Sequence, residues 1–408
     1  MVIGLITIVS ALHDLASIEN SHYELINDLK KNFTVRFITP SEAEFVDIPL
    51  IFIASGGTEE MFQNVYRELP KPIILLTDGL HNSLAASMEI QTWIKGLGEK
   101  SEILHGSIDY IKAKIEKLHS FKEAVRKLQK SSIGVIGFPS SWLIASDVDY
   151  IKAKEKWGVT FRNIELTDFY NRIEKVSQDI AKNVARDFID NSAGCKEATD
   201  ENILEAAVVY LALRDLALDN GLNALTLKCF DLIDRIKTSG CLALSLLNDE
   251  GLVAGCEGDI QAIFSMYLLK VLTGQATFMT NPSLIDVDKN EVILAHCTIA
   301  TSMVEKYTIR SHFESRLSVG IQGKMKNEDI TVFKVGGSDL NEYFVSKGQI
   351  LDNPDSANRC RTQIRVKMEK DVDYFLKNPI ANHHIVLKGD YEDYISDFMY
   401  KMGCRRVI

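Results

Sequence analysis

The sequence has no long apolar run and no excess of positive charge, and each absence excludes a class of protein. No uninterrupted apolar stretch approaches the roughly 20 residues that a membrane-spanning helix needs. Lys and Arg number 46 against 56 Asp and Glu, which gives a formal net charge of −10. Such a chain has no basic stripe with which to neutralise phosphates, so we expect neither a membrane nor a nucleic acid as a partner.

The sequence also has few cysteines, and their spacing is not that of a disulfide framework. The seven cysteines are scattered and show no Cys-x-x-Cys spacing, which argues against disulfide pairing and against a zinc knuckle. The apolar N-terminus MVIGLITIVS carries no Lys or Arg ahead of its apolar stretch. It therefore predicts a first strand, not a signal peptide. A reduced, cytoplasmic setting is expected.

Proline is absent between Pro139 and Pro282, and this absence favours long uninterrupted helices. Amphipathic periodicity with charged outer faces marks the candidate helices. They are predicted over 17–31, 58–69, 107–130, 166–190 and 199–219.

Short apolar runs alternate with these helical patterns through the first two thirds of the chain. Runs rich in Val, Ile and Leu are typical of strands buried on both faces. Strand–helix alternation predicts parallel sheets with right-handed crossovers. We predict such strands over 2–9, 33–39, 50–54, 72–77, 133–138, 159–165 and 225–229.

The last third of the chain changes to alternating polar and apolar residues punctuated by glycine, which is typical of antiparallel strands. These strands are predicted over 307–312, 317–323, 329–335 and 361–368. The fold class is therefore α/β, with two successive Rossmann-like parallel-sheet domains followed by a β-rich, antiparallel, barrel-like C-terminal domain. The predicted domains are 1–130, 131–280 and 281–408.

Carboxylate and imidazole side chains gather late in the sequence, in a mixture that suits Mn, Fe, Co or Zn. Glu257 stands in a glycine-containing turn at the end of a predicted strand, where α/β folds place ligand groups. Asp259, two residues on, fits better as the N-cap of the following helix than as a ligand. His296 closes the run VILA. His383 and His384 are adjacent at a strand start, so at most one of them can face a shared metal.

Two further groups of side chains could join such a centre. Asn281 and Asp286 lie in the run FMTNPSLIDVDKN between Glu257 and His296. The segment His312-Phe313-Glu314 is another possible ligand group, although its flanks look like a strand edge.

Four motifs, in this order, resemble the superfamily of L-fucose isomerase and L-arabinose isomerase. They are CLALSLLNDEGLVAGCEGDIQA, VLTGQATFMTNPS, VILAHCT and NHHIVLKGD. The likeness is strongest from about residue 240 to the end, and the succession of two α/β domains and a β-rich domain supports it more loosely. The resemblance implies a Mn²⁺-dependent aldose–ketose isomerase of a sugar such as L-fucose or L-arabinose. It also implies a homo-oligomer whose active site lies between subunits. By the same resemblance the metal ligands are Glu257, Asn281, His296 and His383.

Asn281 departs from the family pattern, which has a carboxylate there. Ketol isomerisation moves a proton between C2 and C1 through an enediol, and the family assigns that work to two carboxylates. An amide oxygen can bind a hard cation but cannot accept a proton. Glu257 is therefore the expected acid–base group, and Asp286, five residues beyond Asn281, is the candidate for the second carboxylate.

Several polar or aromatic residues are candidates for sugar contacts. Ser140 and Trp142 follow the first strand of the second domain, where an indole can stack on a sugar and a hydroxyl can bind it. A packed loop is the equal alternative. Arg361, in the run NRCRTQI, is a weaker candidate for lining the site. The turn Ser55–Glu59 lacks the spacing of a nucleotide-binding motif, and a structural role is the stronger interpretation.

The leading hypothesis is a metal-dependent sugar isomerase. Two alternatives stay open. One is a metal-assisted lyase, epimerase or decarboxylase on the same scaffold, which the single carboxylate favours. The other is a non-catalytic sugar-binding protein that has kept the cleft and lost the reaction.

Overall fold

The computed structural model describes residues 1–10 and 18–408, and these divide into two compact units, 1–123 and 124–408. The predicted fold class is confirmed: parallel-sheet α/β structure is followed by a closed antiparallel barrel. The boundaries predicted at residues 130 and 280 stay a prediction. In the part of the chain that the structure describes, no helix combines the length and the apolar character needed to cross a bilayer.

The first unit contains a five-stranded parallel sheet in the order β2-β1-β3-β4-β5. Its strands are β1 (Val2–Ile8), β2 (Thr34–Phe37), β3 (Ile48–Ile53), β4 (Ile73–Leu76) and β5 (Ser101–Leu104). The helices over this part of the chain are α1 (Ile18–Ser21), α2 (Tyr23–Asn32), α3 (Glu59–Val65), α4 (Ser83–Gly96) and α5 (Ile108–Gln129). Residue 17, where a helix was predicted to begin, lies outside the described residues.

Alternation along the strands of this sheet supplies two apolar cores, one on each face. Leu50 and Phe52 of β3 pack in one cluster with Leu29 of α2, whereas Ile51 packs in the other with Phe62 of α3. A sheet buried on both faces explains why its strands are continuously apolar. The glycine turn after β3 is tied internally, since Thr58 Oγ1 donates to the Ser55 carbonyl.

The second unit begins with a four-stranded parallel sheet in the order β7-β6-β8-β9. Its strands are β6 (Ser132–Ile136), β7 (Thr160–Ile164), β8 (Ala224–Leu227) and β9 (Val253–Cys256). The helices are α6 (Tyr150–Trp157), α7 (Leu166–Ile173), α8 (Gln178–Asp190), α9 (Asp200–Asp219), α10 (Cys229–Ile236), α11 (Cys241–Asp249) and α12 (Ile260–Thr273).

The single helix predicted over 166–190 is wrong, because α7 ends at Ile173 and α8 begins at Gln178. Ser177 takes an extended backbone conformation and stands at the N-cap of α8. Serine is common at this position, although the Ser177 side chain makes no capping hydrogen bond here. The break thus falls at a polar residue in a stretch that contains no proline. The helix predicted over 199–219 is confirmed as α9, which a capping box opens at Thr199.

The rest of the second unit is built on a six-stranded antiparallel barrel. Its strands follow one another as β14-β17-β10-β11-β16-β15, and pairing of β15 with β14 closes it. They are β10 (Phe278–Asp286), β11 (Glu291–His296), β14 (Asp329–Gly336), β15 (Glu342–Asp352), β16 (Thr362–Met368) and β17 (His384–Lys388). A separate ribbon pairs β12 (Lys306–Arg310) with β13 (Gly320–Lys324), and the chain ends with α13 (Tyr374–Lys377), α14 (Glu392–Lys401) and β18 (Arg405–Arg406).

Candidate metal centre

The ends of three segments in the second unit bring one carboxylate and two imidazoles together. Glu257 follows β9, His296 ends β11, and His383 immediately precedes β17. The Nε2 atoms of His383 and His296 lie 3.4 Å and 3.9 Å from Glu257 Oε1. One potential ligand atom from each residue lies within 4.8 Å of the other two. We call Glu257, His296 and His383 the triad.

The backbone turn that carries Glu257 is held tightly against the loop after β6. Both Glu257 and Gly258 have left-handed backbone angles, with φ of 63° and 70°. A Cβ atom at position 258 would lie 2.4 Å from the Phe138 carbonyl oxygen, so only glycine fits there. The Ser140 N–H donates to the Glu257 carbonyl at 3.0 Å. A left-handed Glu is a strained arrangement of the kind that clusters at functional sites.

Trp142 fixes one oxygen of the Glu257 carboxylate and leaves the other available. The indole Nε1–H donates to Glu257 Oε2 at 2.7 Å. The second oxygen, Oε1, is the one that faces the two histidines. Sequence reasoning placed Trp142 near a sugar, and the structure places it in contact with the carboxylate itself.

Each histidine of the triad is oriented by a hydrogen bond at Nδ1. His383 Nδ1 lies 2.8 Å from Asp259 Oδ2, and His296 Nδ1 lies 2.9 Å from Thr298 Oγ1. With Nδ1 engaged, both rings direct Nε2 towards Glu257. Partners of this kind fix the tautomer and raise the basicity of histidine ligands in metal centres.

Asp259 has two roles, of which sequence analysis predicted one. Its Oδ1 accepts from the Ala262 N–H at 2.7 Å, which confirms Asp259 as the N-cap of α12. Its Oδ2 faces His383 and also lies 3.8 Å from Lys334 Nζ of β14. Lys334 and Asp259 are both fully buried. A lysine within the apolar alternation ITVFKV was the signal in the sequence that could have revealed this pair.

The triad fits a divalent transition-metal ion. His383 Nε2 is buried and has no hydrogen-bond partner among the described residues. A buried, unpaired nitrogen is costly unless something binds it. Two imidazole nitrogens and one carboxylate oxygen form a ligand set that Mn, Fe, Co and Zn accept, with further positions open to substrate. Glu257, His296 and His383 would therefore hold the ion.

The electrostatics of the site keep Glu257 ionised. Burial alone raises the pKa of Glu257, but the neighbouring imidazoles of His296 and His383 outweigh burial and hold this pKa well below its usual range. Burial likewise opposes the charged form of His383, yet Asp259 and Glu257 raise its pKa to about 9. The carboxylates of Glu257 and Asp259 on either side of His383 therefore favour a positive charge at this position.

Asn281 lies beside the triad without being part of the cluster. It pairs in register with Ala295, the neighbour of His296, and its Oδ1 accepts from Asn382 Nδ2 at 3.3 Å. Asp286 lies at the far end of the same strand, about 17 Å along an extended chain from Asn281. There it accepts from the Lys289 N–H and pairs with the Lys289 ammonium group. The structure does not bring Asp286 to the triad.

The other predicted contact residues lie in different surroundings. Ser140 is buried, and its Oγ has no hydrogen-bond partner among the described residues. Arg361 is buried as well, but its guanidinium binds Ser311 and Glu197. Their roles in sugar binding stay predictions.

His312 and Glu314 lie in the loop between β12 and β13 and are not members of the triad. His312 is buried, and its ring packs edge-on against Phe230, with centroids 5.6 Å apart. Phe230 in turn packs edge-on against Trp142 at 5.1 Å. The ring of His312 is thus connected through Phe230 to Trp142, whose indole holds Glu257.

Comparison with known proteins agrees with this architecture. A protein-family profile described as the L-arabinose isomerase central domain matches residues 143–275. Over this segment the chain is similar to the arabinose isomerases, in agreement with the resemblance seen in its sequence. The profile covers α6 to α12, including the turn that carries Glu257.

Curated proteins match over longer stretches of the chain. The chain is 25% identical over 328 residues to a sulfoquinovose isomerase of Clostridium sp. (strain MSTE9), which covers 76% of this chain and 73% of that protein. It is 23% identical to a sulfoquinovose isomerase of Alkalicoccus urumqiensis, over 70% of this chain and 66% of that protein. For a sulfoquinovose isomerase of Priestia megaterium the identity is 22%, over 66% and 63%.

Proposed function

We propose that the protein is a metal-dependent aldose–ketose isomerase acting on a small sugar. The observation that carries the proposal is the convergence of Glu257, His296 and His383, with the Nε2 atoms of both histidines directed at one carboxylate oxygen. The similarity to the L-arabinose isomerase central domain and to sulfoquinovose isomerases supports the same reaction class. The proposed cofactor is Mn²⁺ or another divalent metal.

In this proposal the chain's own residues position the sugar's reacting atoms and move a proton. A divalent ion supplies Lewis acidity for the sugar's O1 and O2 when bound. Glu257 takes the proton from C2 and returns it to C1, since its carboxylate is ionised and anchored by Trp142. Asp259 and Thr298 hold the two imidazoles in place throughout.

The sugars to be tested follow from the comparisons and from the resemblance. Sulfoquinovose comes first because the curated relatives are named for it, and L-arabinose and L-fucose come next. We also propose a cytoplasmic homo-oligomer with the active site between subunits. Large apolar side chains of the loop after β6 are open to solvent, with Trp142 49% and Ile144 91% exposed, and a neighbouring subunit would cover them.

A lyase or epimerase is the second candidate, and Asn281 favours it. With an amide where a second carboxylate is expected, a single proton transfer is easier to support than a relay between two groups.

The deciding experiment is proton NMR of the Mn²⁺-loaded protein in D₂O with each sugar in turn. Deuterium entering C2 of the aldose, with the ketose appearing, is the expected result. Exchange without interconversion would favour the epimerase or lyase. No exchange, combined with a sugar-induced rise in melting temperature in the absence of metal, would identify a binding protein instead.

A further inference from the structure

The proposed isomerisation needs a second group that can move a proton between O1 and O2. Asn281 cannot do so, because a carboxamide accepts hydrogen bonds but not a proton at neutral pH. Asp286 is turned into a hairpin with Lys289, away from the triad. The second proton-handling group must therefore come from elsewhere in the fold.

We propose that His312 is this second catalytic group, a neutral imidazole that exchanges a proton with the sugar's O1 and O2. The inference rests on the proposed function and deepens it by assigning the work expected of the missing carboxylate. His312 belongs to neither the triad nor its hydrogen-bond partners.

Two independent routes through the structure connect His312 to the triad. Along the backbone, Ile321 N–H of β13 donates to the carbonyl of Cys297, the neighbour of His296, at 3.1 Å. Gly320, next to Ile321, lies so close to His312 that an added Cβ would stand 3.4 Å from the His312 Cα. His312 is thus linked to the end of β11 through Gly320 and Ile321 of β13.

The second route runs through side chains. The His312 ring packs on Phe230, Phe230 packs on Trp142, and Trp142 donates to Glu257 Oε2.

The loop that carries His312 holds the ring in a defined tautomer. The His312 N–H donates to the Leu317 carbonyl at 2.9 Å, and the His312 carbonyl accepts from the Arg316 N–H at 3.0 Å. Its Nδ1 accepts from the Ser315 N–H at 3.4 Å and lies 3.0 Å from Ser315 Oγ. Because Nδ1 is the acceptor, the hydrogen of the neutral ring is on Nε2. Burial lowers the pKa of His312 and keeps the ring neutral.

A neutral imidazole of this kind can act as an electrophile towards a carbonyl, as the histidine of triosephosphate isomerase does. In the aldose-to-ketose direction Glu257 takes the C2 proton, and the C2–H electron pair forms the C1–C2 double bond. The carbonyl π pair moves onto O1, which takes the proton from His312 Nε2 to give the enediol. His312 then removes the O2 proton as the C2 carbonyl forms, and Glu257 returns its proton to C1. Both residues end in their starting states.

Glu314 is the rival within the same loop, and it differs from His312 in exposure. Its side chain is open to solvent, whereas His312 is buried. Proton exchange between two sugar oxygens favours the group that is shielded from water.

The test compares His312→Gln, His312→Phe and Glu314→Gln in the full-length Mn²⁺-loaded protein. Gln keeps a donor near the position of Nε2, and Phe keeps the packing on Phe230, but neither can exchange a proton. We expect kcat to fall about 100- to 1000-fold in both His312 variants. The KM for sulfoquinovose, or for whichever panel sugar the wild type converts, and the Mn²⁺ dissociation constant should change less than about threefold. Glu314→Gln should retain turnover.

Three outcomes would overturn the assignment of His312. Turnover within tenfold of wild type in both His312 variants would do so while the proposed function stands. So would a loss of turnover matched by a loss of Mn²⁺ binding measured with the metal alone, since that marks a structural role. Loss of turnover in Glu314→Gln with turnover retained in the His312 variants would transfer the role to Glu314. A wild-type protein that converts none of the sugars would overturn the proposed function and this inference together.

Discussion

Two adjacent residues at the start of β17, His383 and His384, occupy opposite environments. His383 is flanked by the carboxylates of Glu257 and Asp259, which raise its pKa to about 9 against the effect of burial. His384 lies among aromatic rings, with Phe375 at 4.9 Å and Tyr374 at 5.5 Å, and burial lowers its pKa to about 3. Both residues are fully buried.

The difference shows that position along a strand, not residue type, decides which histidine can do chemistry. Successive side chains of an extended chain point to opposite faces. One face here is the metal centre, and the other is an apolar cluster in which His384 Nε2 bonds Tyr374 Oη and Nδ1 bonds the Asn382 carbonyl. The nitrogens of His384 are fully used, whereas Nε2 of His383 has no hydrogen-bond partner among the described residues.

The largest effect is expected from Glu257→Gln, which removes the charge that the triad's imidazoles face. The amide can neither accept the C2 proton nor offset the positive charge of a divalent ion. We therefore expect kcat to fall by about 10³-fold or more. Circular dichroism and melting temperature should stay close to wild type. Glu305→Gln, at an exposed carboxylate, is the matched control. An active Glu257→Gln variant would remove the role given to this residue.

The next effect separates the two histidines directly. His383→Gln should lower the affinity for Mn²⁺ by about 100-fold or more because one of three protein ligands is lost. His384→Phe should leave that affinity within about threefold of wild type, since this ring faces the aromatic cluster. Calorimetric titration of the metal-free proteins measures both. Equal losses in the two variants would show that the two faces are not distinct.

A smaller effect is expected from Asp259→Asn. Asparagine can still cap α12, but its amide gives His383 Nδ1–H a poorer partner, and Mn²⁺ affinity should fall about 10- to 100-fold. The substitution also leaves Lys334 without its buried counter-ion. The double variant Asp259→Asn/Lys334→Met controls for that cost. Unchanged Mn²⁺ affinity in both variants would show that Asp259 does not orient His383.

The smallest effects are those of pH on the free energy of unfolding of the metal-free protein, and they have opposite signs. Because the pKa of His383 is higher in the folded protein, its protonated ring stabilises the fold. This contribution is complete below pH 6.5 and is lost as the pH rises through about 9. The folded protein instead keeps His384 neutral. The contribution of this ring to stability is complete above pH 6.5 and is lost as the pH falls towards 3. His383→Gln should flatten the alkaline side of the stability curve, and His384→Phe the acid side. If the urea midpoints of both variants differ from those of the wild type by the same amount at every pH, this assignment is contradicted.

Much of this architecture could be predicted from the sequence, because it follows from local patterns. Apolar runs located β1 to β4 and β6 to β8 of the two parallel sheets. The order of short motifs gave Glu257, Asn281, His296 and His383 as ligands, of which the structure brings Glu257, His296 and His383 together. Asp259 was predicted as an N-cap from its place before an apolar helix, and that role is confirmed.

What could not be predicted depends on contacts between distant segments. The bond from Trp142 to Glu257 joins residues 115 positions apart, and that from His383 to Asp259 joins residues 124 apart. Lys334 lies on the barrel strand β14, and its ion-pair partner Asp259 stands at the N-terminus of α12. No local periodicity encodes such pairs. The break between α7 and α8 was missed because a serine at an N-cap resembles any exposed helical serine in the sequence.

A titration of the metal-free protein with Mn²⁺, followed by electron paramagnetic resonance, tests the central claim most directly. The predicted result is one tightly bound ion per chain, with the binding lost alike in Glu257→Gln, His296→Gln and His383→Gln. No bound ion in the wild type, or full binding in all three variants, would contradict a metal centre at these residues.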